Sequence, residues 1–152
     1  MMSRIYTHAF FICAVLVAGF IIGMTNMPGE WYESLAKPSF NPPNWLFAPA
    51  WSLLYVLIGW VGARLFLRRQ DRAVLFWLWI VLLVMNFSWS PVFFGLHFTF
   101  AAFLIILFMF IGIIAFIALA WHRERFSAIL FMPYVLWVGF AMVLNGAIVY
   151  LN

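Results

Sequence analysis

The chain has 152 residues, of which 68% are hydrophobic, 22% aromatic and only 8% charged. That balance excludes an ordinary water-soluble domain, where about a quarter of residues carry charge, and marks a chain whose solvent is lipid. Eight Lys/Arg against four Asp/Glu leave +4, an excess to be read as a topology signal, because no basic stripe with soluble flanks supports nucleic-acid binding.

At roughly 20 residues per crossing the chain has room for about five spans and little else. A single all-α transmembrane domain covering residues 1–152 is expected: five helices in a bundle, with a long aromatic and proline-rich first loop. Span one runs from about Ile5 to Met24 and stops at Thr25-Asn26-Met27-Pro28-Gly29. That stop lacks the paired small residues of a signal-peptide cleavage site, and the run is long enough to span. Cys13 lies inside it and reads as a small core residue. The connector that follows, within Trp31 to Tyr55, groups Trp31, Tyr32, Phe40, Trp45, Phe47, Trp51 and Tyr55 around Pro38, Pro42, Pro43 and Pro49. Four prolines forbid one uninterrupted helix, so a stiff lid folded over the bundle is expected. Span two runs from Asn44, read as a side-chain cap, to about Leu67, with Pro49 in its first turn. After the charged turn Arg68-Arg69-Gln70-Asp71-Arg72, span three covers Ala73 to Ser90 and is closed by Pro91. Span four covers Phe98 to Trp121, and span five Phe126 to Leu151, with Pro133 near its beginning.

Five crossings put Arg4, Arg64, Arg68, Arg69, Arg72, Arg123 and Arg125 on one side and only Lys37 on the other. Positive residues stay cytoplasmic, so the N-terminus is expected inside and the connector outside. Gly19 with Gly23 and Gly59 with Ala63 have the small-xxx-small spacing that lets helices approach closely, within the bundle or in a dimer.

No Asp, Glu or Lys falls at mid-membrane depth, which argues against an ion pump, a proton-coupled transporter or a voltage sensor. No phosphate loop, HExxH motif or zinc cluster occurs, and Asp71 sits on the wrong side for a Ser/His/Asp triad. What remains is aromatic: Trp51 with Tyr55 on span two, Asn86, Trp89 and Phe93 on span three, Trp137, Ala141 and Asn145 on span five, each set sharing a helix face. Flat indoles with a few hydrogen-bonding groups suit a planar, apolar ligand. The competing reading makes the tryptophans interfacial belts, above all Trp45, Trp60, Trp77, Trp79 and Trp121, and makes Asn86 and Asn145 bonds between helices. Two readings also attach to the histidines. His8 and His122 share a membrane side and could ligate a haem iron, or simply lie at the interface; His97 and Lys37 could meet ligand carboxylates, or be solvated.

With WYESLAKPSFNPPNWLFAPAWSLLY, MNFSWSPVFFG, LAWHRERF and MPYVLWVGFAMVLN in this order, the sequence resembles the TspO/translocator protein family, also called tryptophan-rich sensory proteins or peripheral benzodiazepine receptors. The likeness covers the chain from Trp31 onward; span one matches only in character. It implies five transmembrane helices, a frequent homodimer, and a pocket beneath the first loop for porphyrins such as protoporphyrin IX, isoquinoline and benzodiazepine drugs and, in animal members, cholesterol. By motif, the pocket residues would be Trp51, Asn86, Trp89, Phe93, Phe94, Trp137, Ala141 and Leu144, with Tyr55 added by its place on the Trp51 face. Trp31, Tyr32, Lys37 and Pro38 would belong to the lid. Two departures stand out. Phe40 replaces a frequent tryptophan, and Tyr150 is not followed by the basic residue that the cholesterol motif needs.

The resemblance thus implies a membrane receptor or carrier for tetrapyrroles, with no cofactor required and no metal site. A light-dependent porphyrin-degrading enzyme is the alternative, since indole is easily oxidised, although no acid/base pair supports catalysis.

Overall fold

The computed structural model describes residues 2–152. They are 82% helical and contain no strand. Helix α1 spans Met2–Thr25, the short α2 Glu30–Ser34, α3 Phe47–Leu67, α4 Ala73–Ser90, α5 Thr99–Ala120, α6 Arg125–Leu130 and α7 Met132–Leu151. Five segments are long and apolar enough to cross a membrane: Ser3–Thr25, Asn44–Leu67, Ala73–Gly95, Thr99–Ala120 and Arg125–Leu151. The chain is an integral, multi-pass membrane protein with the lipid bilayer as its environment.

Helix α1 lies on α3, α4 and α7 flank α5, and α6 touches both α3 and α5. Small residues permit the closest approach. A Cβ on Gly59 would stand 2.7 Å from the Ile12 Cα, and one on Gly19 would overlap the Tyr55 ring. Two of the paired small positions therefore serve contacts inside the bundle. Gly23, by contrast, has open space around it.

Proline placement explains where the helices deviate. Pro91 does not close span three as expected. The helix continues through a widened turn, Pro91–Gly95, in which Leu96 N donates to Pro91 O at 2.9 Å and Phe98 N to Val92 O at 3.0 Å. Proline has no N–H to give, so the i→i−4 ladder is interrupted there; the Leu96 bond reaches back five residues and the Phe98 bond, past the end of the turn, six. His97, at φ 61°, then reverses the chain in the left-handed region. Span five is also broken: α6 ends at Leu130, Phe131 interrupts, and α7 restarts with Pro133 in its first turn, where a missing donor costs least.

Three further expectations are corrected. Asn44 does not cap with its side chain; it is the first residue of a 3₁₀ turn, Asn44–Leu46, that leads into α3. Cys13 is exposed on the outer face of α1. Trp79 is no belt residue: it is only 3% exposed, and its indole N–H donates to Ile58 O at 3.0 Å. Trp45, Trp60, Trp77 and Trp121 do face outward, as an interfacial or lipid-facing indole should.

Candidate functional site: an aromatic cluster beneath the first loop

The first loop is a folded lid tied down at several points. Lys37 Nζ donates to Glu33 O at 3.1 Å and Leu35 O at 3.3 Å and stands 4.6 Å from the Tyr32 ring centroid. Its ammonium thus closes the loop on itself. Pro38 heads a turn in which Asn41 N donates to Pro38 O at 3.0 Å, and the Tyr32 hydroxyl reaches Asn41 Oδ1 at 3.4 Å. Burial raises the Tyr32 phenol above its ordinary value, so it remains a neutral donor. The lid is also pinned to α7: Ala36 N donates to Asn152 Oδ1 at 2.9 Å, and Asn152 Nδ2 donates to Ala36 O at 3.0 Å.

Beneath this lid, Trp31 stacks on His97 with centroids 4.0 Å apart and meets Phe93 edge-on at 5.8 Å. Tyr32 approaches Phe94 at 5.3 Å. The widened turn after α4 brings Phe93 and Phe94 inward together, 4.8 Å apart, with Trp89 stacked on Phe93 at 5.1 Å. Deeper in the bundle, Trp51 stacks on Tyr55 at 5.5 Å and meets Trp137 edge to face at 6.5 Å and 88°. Phe47 closes on Trp137 from above at 5.9 Å. These offset and T-shaped pairs match the electrostatics of aromatic rings.

The polar groups are fewer. Asn86 Nδ2 donates to the Tyr134 hydroxyl at 2.9 Å, and that hydroxyl in turn faces Met109 Sδ at 3.4 Å. Asn145 Oδ1 accepts from the Trp89 indole at 3.1 Å, while its Nδ2 donates to Thr99 O at 3.2 Å. Both amides therefore join helices. Among the residues singled out for this site, two buried polar atoms have no hydrogen-bond partner: Asn86 Oδ1 and Trp137 Nε1. An apolar site with a small number of unpaired polar atoms can accept a mostly flat, greasy guest that brings its own donor and acceptor.

The residues singled out by sequence fall into two adjoining groups. Trp51, Tyr55, Trp137 and Ala141 belong to the main core, while Trp31, Tyr32, Phe93, Phe94 and Leu144 form a smaller cluster under the lid; Trp89 packs against both. Asn86 is set back against Tyr134. Lys37 and His97 are engaged within the lid, on Tyr32 and Trp31 respectively. His8 is remote from the cluster: its Nδ1 donates to Arg4 O at 2.8 Å and its ring lies 4.9 Å from Trp60. His122 is in the exposed turn after α5.

Sequence reasoning placed Phe47 in the aromatic lid, where it does meet Trp137, but missed Tyr134 and Asn152 as partners of this site. The signal for Tyr134 was its place on the same span as Trp137, one turn earlier. Asn152 left no local signal, because its partner is more than a hundred positions away.

Comparison with known proteins adds the family. Residues 10–151 match the TspO/MBR family. The chain belongs to it. Within this family it is 41% identical over 128 residues to Protein CrtK of Rhodobacter capsulatus, covering 82% of this chain and 80% of the relative. It is 39% identical over 150 residues to the tryptophan-rich protein TspO of Archaeoglobus fulgidus, covering 93% and 94%. To the Translocator protein of Homo sapiens it is 33% identical over 136 residues, covering 84% and 79%. The TspO/MBR match takes in most of α1 as well, the span whose own sequence resembles the family only in character.

Proposed function

We propose that the protein is a membrane receptor or carrier for flat lipophilic molecules, porphyrins such as protoporphyrin IX and isoquinoline-type compounds, held beneath the first loop. The observation that carries this reading is the meeting of Trp51 and Trp137 edge to face, 6.5 Å apart, from separate helices under one lid. Two unpartnered polar atoms, Trp137 Nε1 and Asn86 Oδ1, lie buried nearby. The two indoles are in contact, so a macrocycle enters by parting them and lifting the lid. Its planar face then replaces ring-on-ring packing, and its polar groups satisfy the buried N–H and carbonyl. Relatives named translocator and tryptophan-rich proteins agree with a carrier or receptor.

Titration of the detergent-solubilised protein with protoporphyrin IX, followed by fluorescence, tests the assignment. Trp51→Ala and Trp137→Ala are each expected to weaken binding by about tenfold or more, the loss of roughly 1.4 kcal/mol of ring contact. Unchanged affinity in both variants would defeat it.

The same reading has the N-terminus cytoplasmic and the lid outside, supported by the seven-to-one arginine and lysine split, and a bacterial cell membrane, in keeping with the relative in Rhodobacter capsulatus. A homodimer belongs to it as well, and light scattering of the detergent complex would reveal a monomer if that is wrong.

A further inference from the structure

A second constellation lies at the other end of α3, about 30 Å from the lid by the rise of a helix of this length. Ser3, Arg4 and His8 of α1 and Arg64, Leu67 and Arg68 of α3 line a cavity of about 290 Å³. Glu124, in the turn between α5 and α6, reaches Arg64 Nη2 with Oε2 at 3.0 Å and pairs with Arg68 through Oε1. These are the two ion pairs among the described residues, so Arg4 keeps its charge uncompensated. Three guanidinium groups against one carboxylate leave two positive charges in excess at the cavity.

Two observations indicate what such a cavity takes. Arg64 Nε is buried and has no hydrogen-bond partner, although its residue lines the cavity. Beside the charged groups stand two exposed aromatics: Trp60, 4.9 Å from the His8 ring, and Phe126, whose ring lies 4.9 Å from Arg64 Cζ. A site with several fixed guanidinium donors suits a tetrahedral oxyanion better than a single carboxylate, because phosphate offers more acceptor oxygens and up to two charges. The volume lies near the low end of the range for small-molecule sites, about 300 Å³, which suits a compact charged group.

We propose that this cavity is a phosphate-binding site, holding a phosphate monoester or diester whose apolar remainder lies along α3 against Trp60 and Phe126. A phospholipid headgroup and a soluble phosphorylated compound share that chemistry. Arg4, Arg64 and Ser3 supply the donors, His8 lines the wall with its Nδ1 engaged on Arg4 O, and Glu124 fixes the angle of the Arg64 and Arg68 forks.

Native mass spectrometry of the full chain in neutral maltoside detergent tests it, with phosphatidylglycerol as probe and phosphatidylcholine as the zwitterionic control. One phosphatidylglycerol per chain is expected at a tenfold lower concentration than phosphatidylcholine requires. Arg4→Gln should erase most of that preference, whereas Arg123→Gln, in the exposed turn after α5, should leave it intact. Thermal unfolding with inorganic phosphate separates the sources. A rise in melting temperature in the wild type that is absent in Arg4→Gln supports a soluble phosphate ligand; lipid retention without that rise supports a headgroup. Two results overturn the proposal: no preference for phosphatidylglycerol together with no effect of phosphate, or equal losses in Arg4→Gln and Arg123→Gln, which would mean diffuse surface attraction.

Discussion

Glu124 shows how much one side chain can hold in a chain with few charges. Burial acts to raise its carboxyl, yet hydrogen bonds and charge from Arg64 and Arg68 outweigh that and hold it below the ordinary 4.5. A carboxyl depressed in the folded state contributes stability above its unfolded value, and that contribution fades as pH falls through the folded value. Thermal melts in detergent should therefore be level from pH 7 to about 5 and then decline, while Glu124→Gln should melt lower at pH 7 and lose much of the acid slope. Removing the carboxylate strands two guanidinium groups, a loss of about 1–3 kcal/mol, with the more exposed Arg68 recovering part of it in water. A melt of the variant that superimposes on wild type at every pH would remove Glu124 from this role. The sequence displayed Glu124 as an ordinary turn residue, since nothing local tells a buried acid from a solvated one.

Among the elements, the α1–α3 seam depends on backbone approach at a single glycine. Leucine at Gly59 would drive a branched side chain into the Ile12 backbone and separate the helices, with a cost of about 1–3 kcal/mol or more. Leucine at Gly23, which faces open space, should stay within about 0.5 kcal/mol of wild type. Denaturation in mixed micelles compares the two, and equal effects would mean that the seam is not tight. The five spans were legible from hydropathy because lipid demands a long apolar run for each crossing. Their inner faces were less so: lipid is as apolar as a helix neighbour, so composition does not distinguish the buried Trp79 from the exposed Trp77. Nor could Pro91 be read as a widened turn, since whether proline ends a helix or only loosens it is decided by what packs beyond.

For the molecule as a whole, orientation is the property most open to test. In a Cys13→Ser background, a membrane-impermeant maleimide should label Ser34→Cys in the lid on intact cells, and should reach Asp71→Cys, between α3 and α4, only after lysis. The opposite pattern would invert the arrangement. The convergence of Trp51 and Trp137 was legible as helix-face stripes. The bonds of Asn152 to the lid and of Tyr134 to Asn86 were not, because each is a contact made only once the bundle is assembled.

Asn145 receives the Trp89 indole from α4 and holds the Thr99 carbonyl at the start of α5, so three helices share one amide at the lid end. Swinging that indole aside strips the amide of its donor and slackens the α4, α5 and α7 tips as a set. The rim is thus held like a drawstring, with the Trp89 indole N–H as the one knot that ties α4 to the amide gripping α5.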